Sequence, residues 1–480
     1  MKQQQEWNKG IYVNGKWLTL DKCMPVQNPA TLATIGSVPD AGVAEAKQAV
    51  DAAQAAFESW SKTTAYERAA LLERWHQAIE ARLDEIAYVM TMEQGKPLAE
   101  ARGEVQYANS YIKWYAEEAK RIYGETIPSS AVSKRIFVQK QPVGVVAAVT
   151  PWNFPAAMIA RKLAPALAAG CTTVAKPAEQ TPLTALLLAE CAEEAGIPAG
   201  VINIVTTSRA GEVVDVWMDD SRVKKLTFTG STPVGKLLMK KAADTVKKLS
   251  LELGGLAPFI VTEDANLEAA VKGLIQSKFR NAGQTCICAN RIYVHEAVKE
   301  PFLQKLTEAV AALRVGAGTE EHVEIGPLID DRAVKKVRQQ VDDAISKGAV
   351  LHGNPELEGA VGYFLKPVVL SDVTDEMLCM QEETFGPIAP VSTYSDDADV
   401  IRRANATPYG LAAYVFTQSL TRAFMFSENL EYGIVGVNDG GPSVAQAPFG
   451  GMKESGLGRE GSRQGIEEYL EVKYISLQLV

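Results

Sequence analysis

A cysteine, two glutamates and an asparagine stand in four short segments whose neighbours restrain them. Cys286, in Gly283-Gln284-Thr285-Cys286-Ile287-Cys288, follows a helical pattern and precedes a strand pattern, which puts it in a loop. A thiol there is either a small packed side chain or a nucleophile that acts as its thiolate. Leu251-Glu252-Leu253-Gly254-Gly255 sets a carboxylate in an apolar strand end, before two glycines that let the chain turn sharply. Such a carboxylate is costly unless paired, and burial raises its pKa toward the range of a general base. Pro151-Trp152-Asn153-Phe154-Pro155 and Glu382-Glu383-Thr384-Phe385-Gly386-Pro387 each hold a polar side chain among rigid neighbours.

Two glycine patterns compete for a nucleotide role. Gly456-Leu457-Gly458-Arg459-Glu460-Gly461 matches GxGxxG, but it follows a polar segment and leaves no room for an acid ~20 residues on. It is expected to be a glycine-rich turn. Gly230-Ser231-Thr232-Pro233-Val234-Gly235-Lys236 is close to a P-loop, yet Leu237 stands where a magnesium-binding hydroxyl is needed. What remains is Ser231 and backbone N–H groups at a helix start, a seat for a diphosphate.

The elements that must position these residues change character along the chain. A hairpin signal, Asn14-Gly15, lies in Ile11–Trp17, and helical stripes cover Val43–Trp60, Ala65–Ile86 and Pro97–Tyr123. From Gly144, apolar runs alternate with helices: strands at Val145–Val149, Thr172–Ala175, Val201–Val205, Lys225–Phe228 and Leu249–Leu253, with helices such as Ala156–Ala169 and Pro182–Gly196 between. That alternation predicts a parallel sheet with right-handed crossovers. The rhythm restarts after Gly255, with a strand at Pro258–Val261, a helix at Leu267–Phe279 and a strand at Arg291–Val294, and predicts a second α/β domain reaching about Val437. The strand Val472–Leu479 is apolar on both faces and needs a partner, for which another subunit is a natural source.

Composition narrows the class. The 480 residues are about three typical domains, with 47% apolar and 22% charged residues in an ordinary globular balance. A net charge of −9 argues against nucleic acid and gives no basic face for a membrane surface. No apolar run approaches the ~20 residues of a membrane span, and Met1–Gly10 lacks the apolar core of a signal peptide. Six cysteines are too sparse for a disulfide framework, and four isolated histidines argue against a metal site or a Ser-His-Asp hydrolase. A soluble cytoplasmic enzyme is the expectation.

The four segments, in order, with Cys286 34 residues after Glu252 and Glu383 97 residues after Cys286, resemble the NAD(P)-dependent aldehyde dehydrogenase superfamily from end to end. The resemblance implies Cys286 as nucleophile. The Asn153 amide and the Cys286 N–H would form the oxyanion hole, and Glu252 would be the base that hydrolyses the thioester. It implies a cofactor cradle of Trp152, Lys176, Glu179, Gly230, Ser231, Leu253, Glu383 and Phe385. Lys176 and Glu179 would hold the adenine-side ribose and Glu383 the nicotinamide ribose. Phe279–Cys288 and Leu457–Gly461 are most similar to the succinate-semialdehyde dehydrogenase group, where Arg161, Arg280 and Ser443 stand at the substrate carboxylate. Glutarate and 2-oxoglutarate semialdehydes, or a broad range of aldehydes, are the alternatives, because Gly440–Gln446 is richer in Gly and Pro than the group's pattern. Some members of the group close a cysteine pair like Cys286 and Cys288 into an inactivating disulfide.

The implied architecture is α/β: a Rossmann-like cofactor domain (1–124 and 143–254), a catalytic domain (255–453) and a small β oligomerisation flap (125–142 and 466–480) in a homodimer or homotetramer. Glu179, a like charge to a 2′-phosphate, favours NAD while Lys176 leaves NADP possible. A coenzyme-A-acylating relative lacks the carboxylate at the Glu252 position. A non-catalytic relative should have lost one of Cys286, Glu252 or Asn153, and all three are present.

Overall fold

The computed structural model describes residues 7–479; part of the Met1–Gly10 segment and Val480 lie outside them. An eight-stranded sheet runs in the order Gly456–Leu457, Lys248–Glu252, Val223–Thr229, Val145–Val149, Thr172–Lys176, Ile202–Ile204, Ile11–Val13, Lys16–Leu18. Its five central strands are parallel, and the flanking ones are antiparallel. Largely buried on both faces, the central strands mix Val, Ala, Ile and Leu with Thr, Asn and Lys, and Val145–Val149 is apolar throughout, as a helix-covered parallel sheet favours.

Register brings the strand ends level: Glu252 lies opposite Thr229, Phe228 opposite Val149, and Val149 opposite Lys176. The segments bearing Asn153, Glu179, Ser231 and Leu253 therefore all leave from the carboxyl edge of one sheet, where open α/β sheets place their ligands.

A second, seven-stranded sheet runs Val350–His352, Val368–Ser371, Ile388–Tyr394, Ala289–His295, Ala257–Val261, Ala412–Phe416, Ile434–Val437. Here the polarity is reversed relative to the site. Cys286 precedes the strand Ala289–His295, and Glu383 and Phe385 precede Ile388–Tyr394. The amino edge of the second sheet thus faces the carboxyl edge of the first, with Gly254-Gly255 as the hinge between them.

The helix Pro155–Ala169 is the main positioning device. Every residue in it is buried, Pro155 opens it, and Gly170 closes it in the left-handed region at φ 96°. Its many alanines let it pack closely against the helix Leu98–Glu118.

Two expectations are corrected. The helical stripe Ala65–Ile86 is two helices, Ala65–Ala81 and Leu83–Gln94, broken at Arg82 with φ −112°. No Gly or Pro marks the break; Arg82 turns there to meet Glu85, Glu190 and Glu194, ion pairs that local pattern does not show. The C-terminal strand, Leu470–Gln478, finds its partner within the chain, pairing along its length with Lys134–Pro142. Glu125–Ile127 completes a three-stranded sheet that is largely exposed, and the far edge of Leu470–Gln478 is unpaired among the described residues.

Candidate active site

Two cavities meet at Cys286. The first, about 250 Å³, is lined by Phe154, Met158, Arg161, Arg280, Ser443 and Phe449 among others. The second, about 430 Å³, holds Trp152, Asn153, Gly230, Ser231, Leu253, Glu383 and Phe385 in its walls. Of the residues that the sequence singles out, these are brought together. Glu252, Lys176 and Cys288 line neither cavity, and Glu179 lines an adjoining hollow that shares Ile329 and Asp330 with the second.

Cys286 sits after a tight turn in which Asn281 and Ala282 (both φ 53°) and Gly283 (φ 77°) are left-handed. Gly255 is needed close by: a Cβ there would lie 2.5 Å from the Cys286 carbonyl oxygen. Burial pushes the Cys286 thiol up to about 12, with Arg161 and Arg280 pulling it down and Glu383 and Glu252 adding to the rise. The free thiol is therefore protonated at neutral pH and must lose its proton to react.

Asn153 is buried, and its Nδ2 donates to the Gln284 carbonyl at 3.0 Å. That bond fixes the amide beside the nucleophile's loop and uses one of its two N–H groups.

Glu252 is 4% exposed at the end of its strand, against Gly450, and its Oε2 has no hydrogen-bond partner. Burial, then the nearby charge of Glu460, raises its pKa well above the ordinary carboxylate range.

The first cavity has two guanidinium groups in its wall, those of Arg161 and Arg280. Arg161 is 1% exposed, not a solvated helix residue, and lies 3.9 Å from the Phe449 ring centroid. Glu460 Oε2 contacts its Nε at 2.8 Å, an ionic contact rather than an aligned hydrogen bond, and Lys162 takes the other oxygen. Burial pushes Glu460 upward, but Lys162 and Arg161 outweigh it and hold the carboxylate ionised. Arg280 lies 5.2 Å from the Phe154 ring centroid. Ser443 Oγ and the Tyr107 hydroxyl are 2.5 Å apart, and Tyr107 reaches Tyr111 at 2.8 Å, forming a chain of hydroxyls.

The second cavity suits a dinucleotide. Ser231 stands at the N-cap of the helix Thr232–Ala242 with no side-chain cap bond, so first-turn N–H groups remain open to an anion. Glu383 accepts the Gly255 N–H at 3.1 Å, and burial raises its carboxyl to about 7. Trp152 and Phe385 meet edge to face at 5.6 Å. Lys176 is pulled below its ordinary range by burial, offset by Glu179 at 3.3 Å.

Cys288 is buried and donates its thiol to the Lys278 carbonyl at 3.2 Å; both it and Cys286 are free thiols. Closing a disulfide requires Cys288 to leave that partner.

The sequence reading missed Glu460, Lys162, Lys96, Glu104, Tyr107 and Asn281. Glu460 lay inside the GxGxxG segment. Gly456–Leu457 is indeed no dinucleotide fingerprint, since it pairs antiparallel with Leu251–Glu252, and the acid was set aside with the glycines. Glu100 and Glu104, one helical turn apart, both line the first cavity, which their charges gave no means of foreseeing.

The family model "Aldehyde dehydrogenase family" matches residues 17–475. A glutarate-semialdehyde dehydrogenase of Pseudomonas putida is 54% identical over 100% of both chains. The NADP(+) succinate-semialdehyde dehydrogenase of Escherichia coli is 53% identical over 97% of each. The crystal structure of an aldehyde dehydrogenase from Brucella melitensis biovar abortus superposes with a TM-score of 0.97 at 53% identity, covering 100% of this chain and 99% of that one. With a thiol at the junction of two cavities, and with these relatives along its whole length, the chain belongs to the aldehyde dehydrogenase family.

Proposed function

We propose that the protein oxidises an aldehyde carrying a distal carboxylate, succinate or glutarate semialdehyde, to the dicarboxylate with NAD(P), preferring NAD. The observation that carries this reading is the position of Cys286, in the wall of both cavities at once. The named activities of the P. putida and E. coli relatives support an ω-oxo acid of four or five carbons.

Arg161, Arg280 and Ser443 hold the substrate carboxylate through charge-assisted hydrogen bonds, which sets the aldehyde carbon toward the sulfur. Cys286 passes its proton to solvent and adds as the thiolate to that carbon, and the alkoxide of the thiohemiacetal is received by the free Asn153 N–H and the Cys286 N–H. Trp152, Gly230, Ser231, Leu253, Glu383 and Phe385 hold the dinucleotide, with Lys176 and Glu179 at its adenine-side ribose. When bound, the nicotinamide supplies the acceptor for the hydride, leaving a thioester on Cys286. Glu252 takes a proton from water, the water oxygen attacks the thioester carbon, and the sulfur leaves as thiolate. Because Glu252 sits behind the cavity wall, this step requires its side chain to turn toward the sulfur.

The first sheet and its helices (1–124 and 143–254) form the cofactor domain, 255–453 the catalytic domain, and 125–142 with 466–480 a flap. The unpaired edge of Leu470–Gln478 gives that flap a surface for a dimer or tetramer. Free cysteines suit the reducing cytoplasm. The test is NADH formation with succinate, glutarate and 2-oxoglutarate semialdehydes beside neutral aldehydes of equal length. At least ~10²-fold higher kcat/KM for a carboxylated aldehyde is expected, and equal efficiency on butanal would overturn the assignment.

A further inference from the structure

Asn153 is gripped through its backbone as well as its side chain. Its carbonyl oxygen accepts hydrogen bonds from Lys96 Nζ and from Asn281 Nδ2, each at 2.8 Å. Lys96 is 2% exposed and ion-paired with Glu104, itself 4% exposed. The other oxygen of Glu104 accepts the N–H groups of Ala156 at 2.9 Å and Ala157 at 3.2 Å, in the first turn of the helix Pro155–Ala169. One ion pair thus holds the segment Asn153–Ala157 at both ends. Behind it, the Lys96 N–H donates to Gln94 Oε1 at 2.9 Å, and Gln94 Nε2 donates to Asn281 Oδ1 at 3.0 Å. The left-handed turn before Cys286 is tied to the same cluster.

Lys96 lies in the wall of the first cavity, so a substrate-binding role competes. An ammonium has three donors. Two go to Glu104 and to the Asn153 carbonyl, and the Phe154 ring covers the nitrogen at 4.1 Å. With its side chain 1% exposed, the ammonium is engaged by the protein rather than presented to a substrate.

We propose that Lys96 is a positioning residue, holding Asn153 where its amide meets the substrate oxygen. This rests on the reading of Asn153 as the oxyanion donor. A misplaced donor costs the step in which the alkoxide forms, without changing how readily Cys286 loses its proton.

The experiment is a double-mutant cycle of Lys96→Met and Asn153→Ala, read by aldehyde kcat/KM and by the rate at which iodoacetamide alkylates Cys286. Alkylation needs the thiolate but develops no oxyanion. Lys96→Met is expected to lower kcat/KM by about 10- to 100-fold. It should leave the alkylation rate within about twofold of the parent and add little further loss in the Asn153→Ala background. The same loss in both backgrounds, or an equal slowing of alkylation, would overturn the proposal alone. Parent-like turnover of Asn153→Ala would bring down the oxyanion reading and the proposal with it. Where Lys96→Met does not fold, Lys96→Met/Glu104→Gln leaves no unpaired buried charge and is read in the same way.

Discussion

Glu460 Oε2 lies 2.8 Å from Arg161 Nε, and both side chains are all but closed to solvent. Lys162 occupies the other oxygen. The two arginines of the first cavity are therefore unlike: Arg161 has a counter-ion inside the protein, whereas no carboxylate lies within 4 Å of Arg280 among the described residues.

Removing Glu460 strands two cations in the interior. Glu460→Ala should destabilise the protein by ~3–5 kcal/mol, the usual cost of breaking a buried pair from one side. Urea unfolding of the variant and the parent measures it; a loss within the error of the parent would mean that water reaches Arg161 and Lys162.

In the proposed carboxylate site, Arg280 is the less compensated cation. Arg280→Leu should cut the preference for succinate semialdehyde over butanal by at least ~10-fold, mostly through KM for the acid. Paired kinetics on the two aldehydes decide it, and an unchanged ratio would move the anchor to Arg161 and Ser443.

The raised Cys286 thiol has a signature in pH. Below a pKa of about 12 the thiolate fraction grows tenfold per unit, so alkylation of the free enzyme should climb steadily from pH 6 to 9. A rate that levels off below pH 8 would show a thiolate stabilised beyond what burial allows.

The two halves of the reaction should separate by mutation. Cys286→Ala abolishes turnover, whereas Glu252→Gln still forms the thioester and gives a burst of one NADH per site. Stopped-flow absorbance of NADH reads both, and steady turnover at the parent rate in Glu252→Gln would remove Glu252 as the base.

Glu179 answers the charge of Lys176 at 3.3 Å and would meet a 2′-phosphate as a like charge. Unscreened, the repulsion at ~4 Å and an effective dielectric of ~20 is up to ~4 kcal/mol. Glu179 is 45% exposed, so solvent removes much of it. About 1.4 kcal/mol is enough for a tenfold preference for NAD in kcat/KM, which Glu179→Ser should narrow. An NADP-preferring parent would mean that Lys176 dominates.

What the sequence disclosed depended on how local the information was. The strand Val145–Val149 and the helix Val43–Trp60 were legible to the residue, because apolar periodicity and a flanking Pro or Gly define them. Cys286, Asn153 and Glu383 were legible because each stands in a dense local pattern. The break at Arg82 was not, since its cause lies more than 100 residues away at Glu190 and Glu194. Glu460 and Lys96 escaped for the same reason. Each is defined by a buried partner on another element, and a charged residue in sequence gives no sign that it faces inward.

The strand Gly456–Leu457, which borders Glu252, reaches the first sheet from beyond the second. During synthesis Cys286, Asn153, Arg161 and Arg280 leave the ribosome well before it does. Until residues 456–460 emerge, Glu252 has an open flank and Arg161 lacks its counter-ion. Vectorial folding can complete the second sheet first, but the site waits for residues 456–460. Nascent chains released before residue 456 carry Cys286 and no finished site around it.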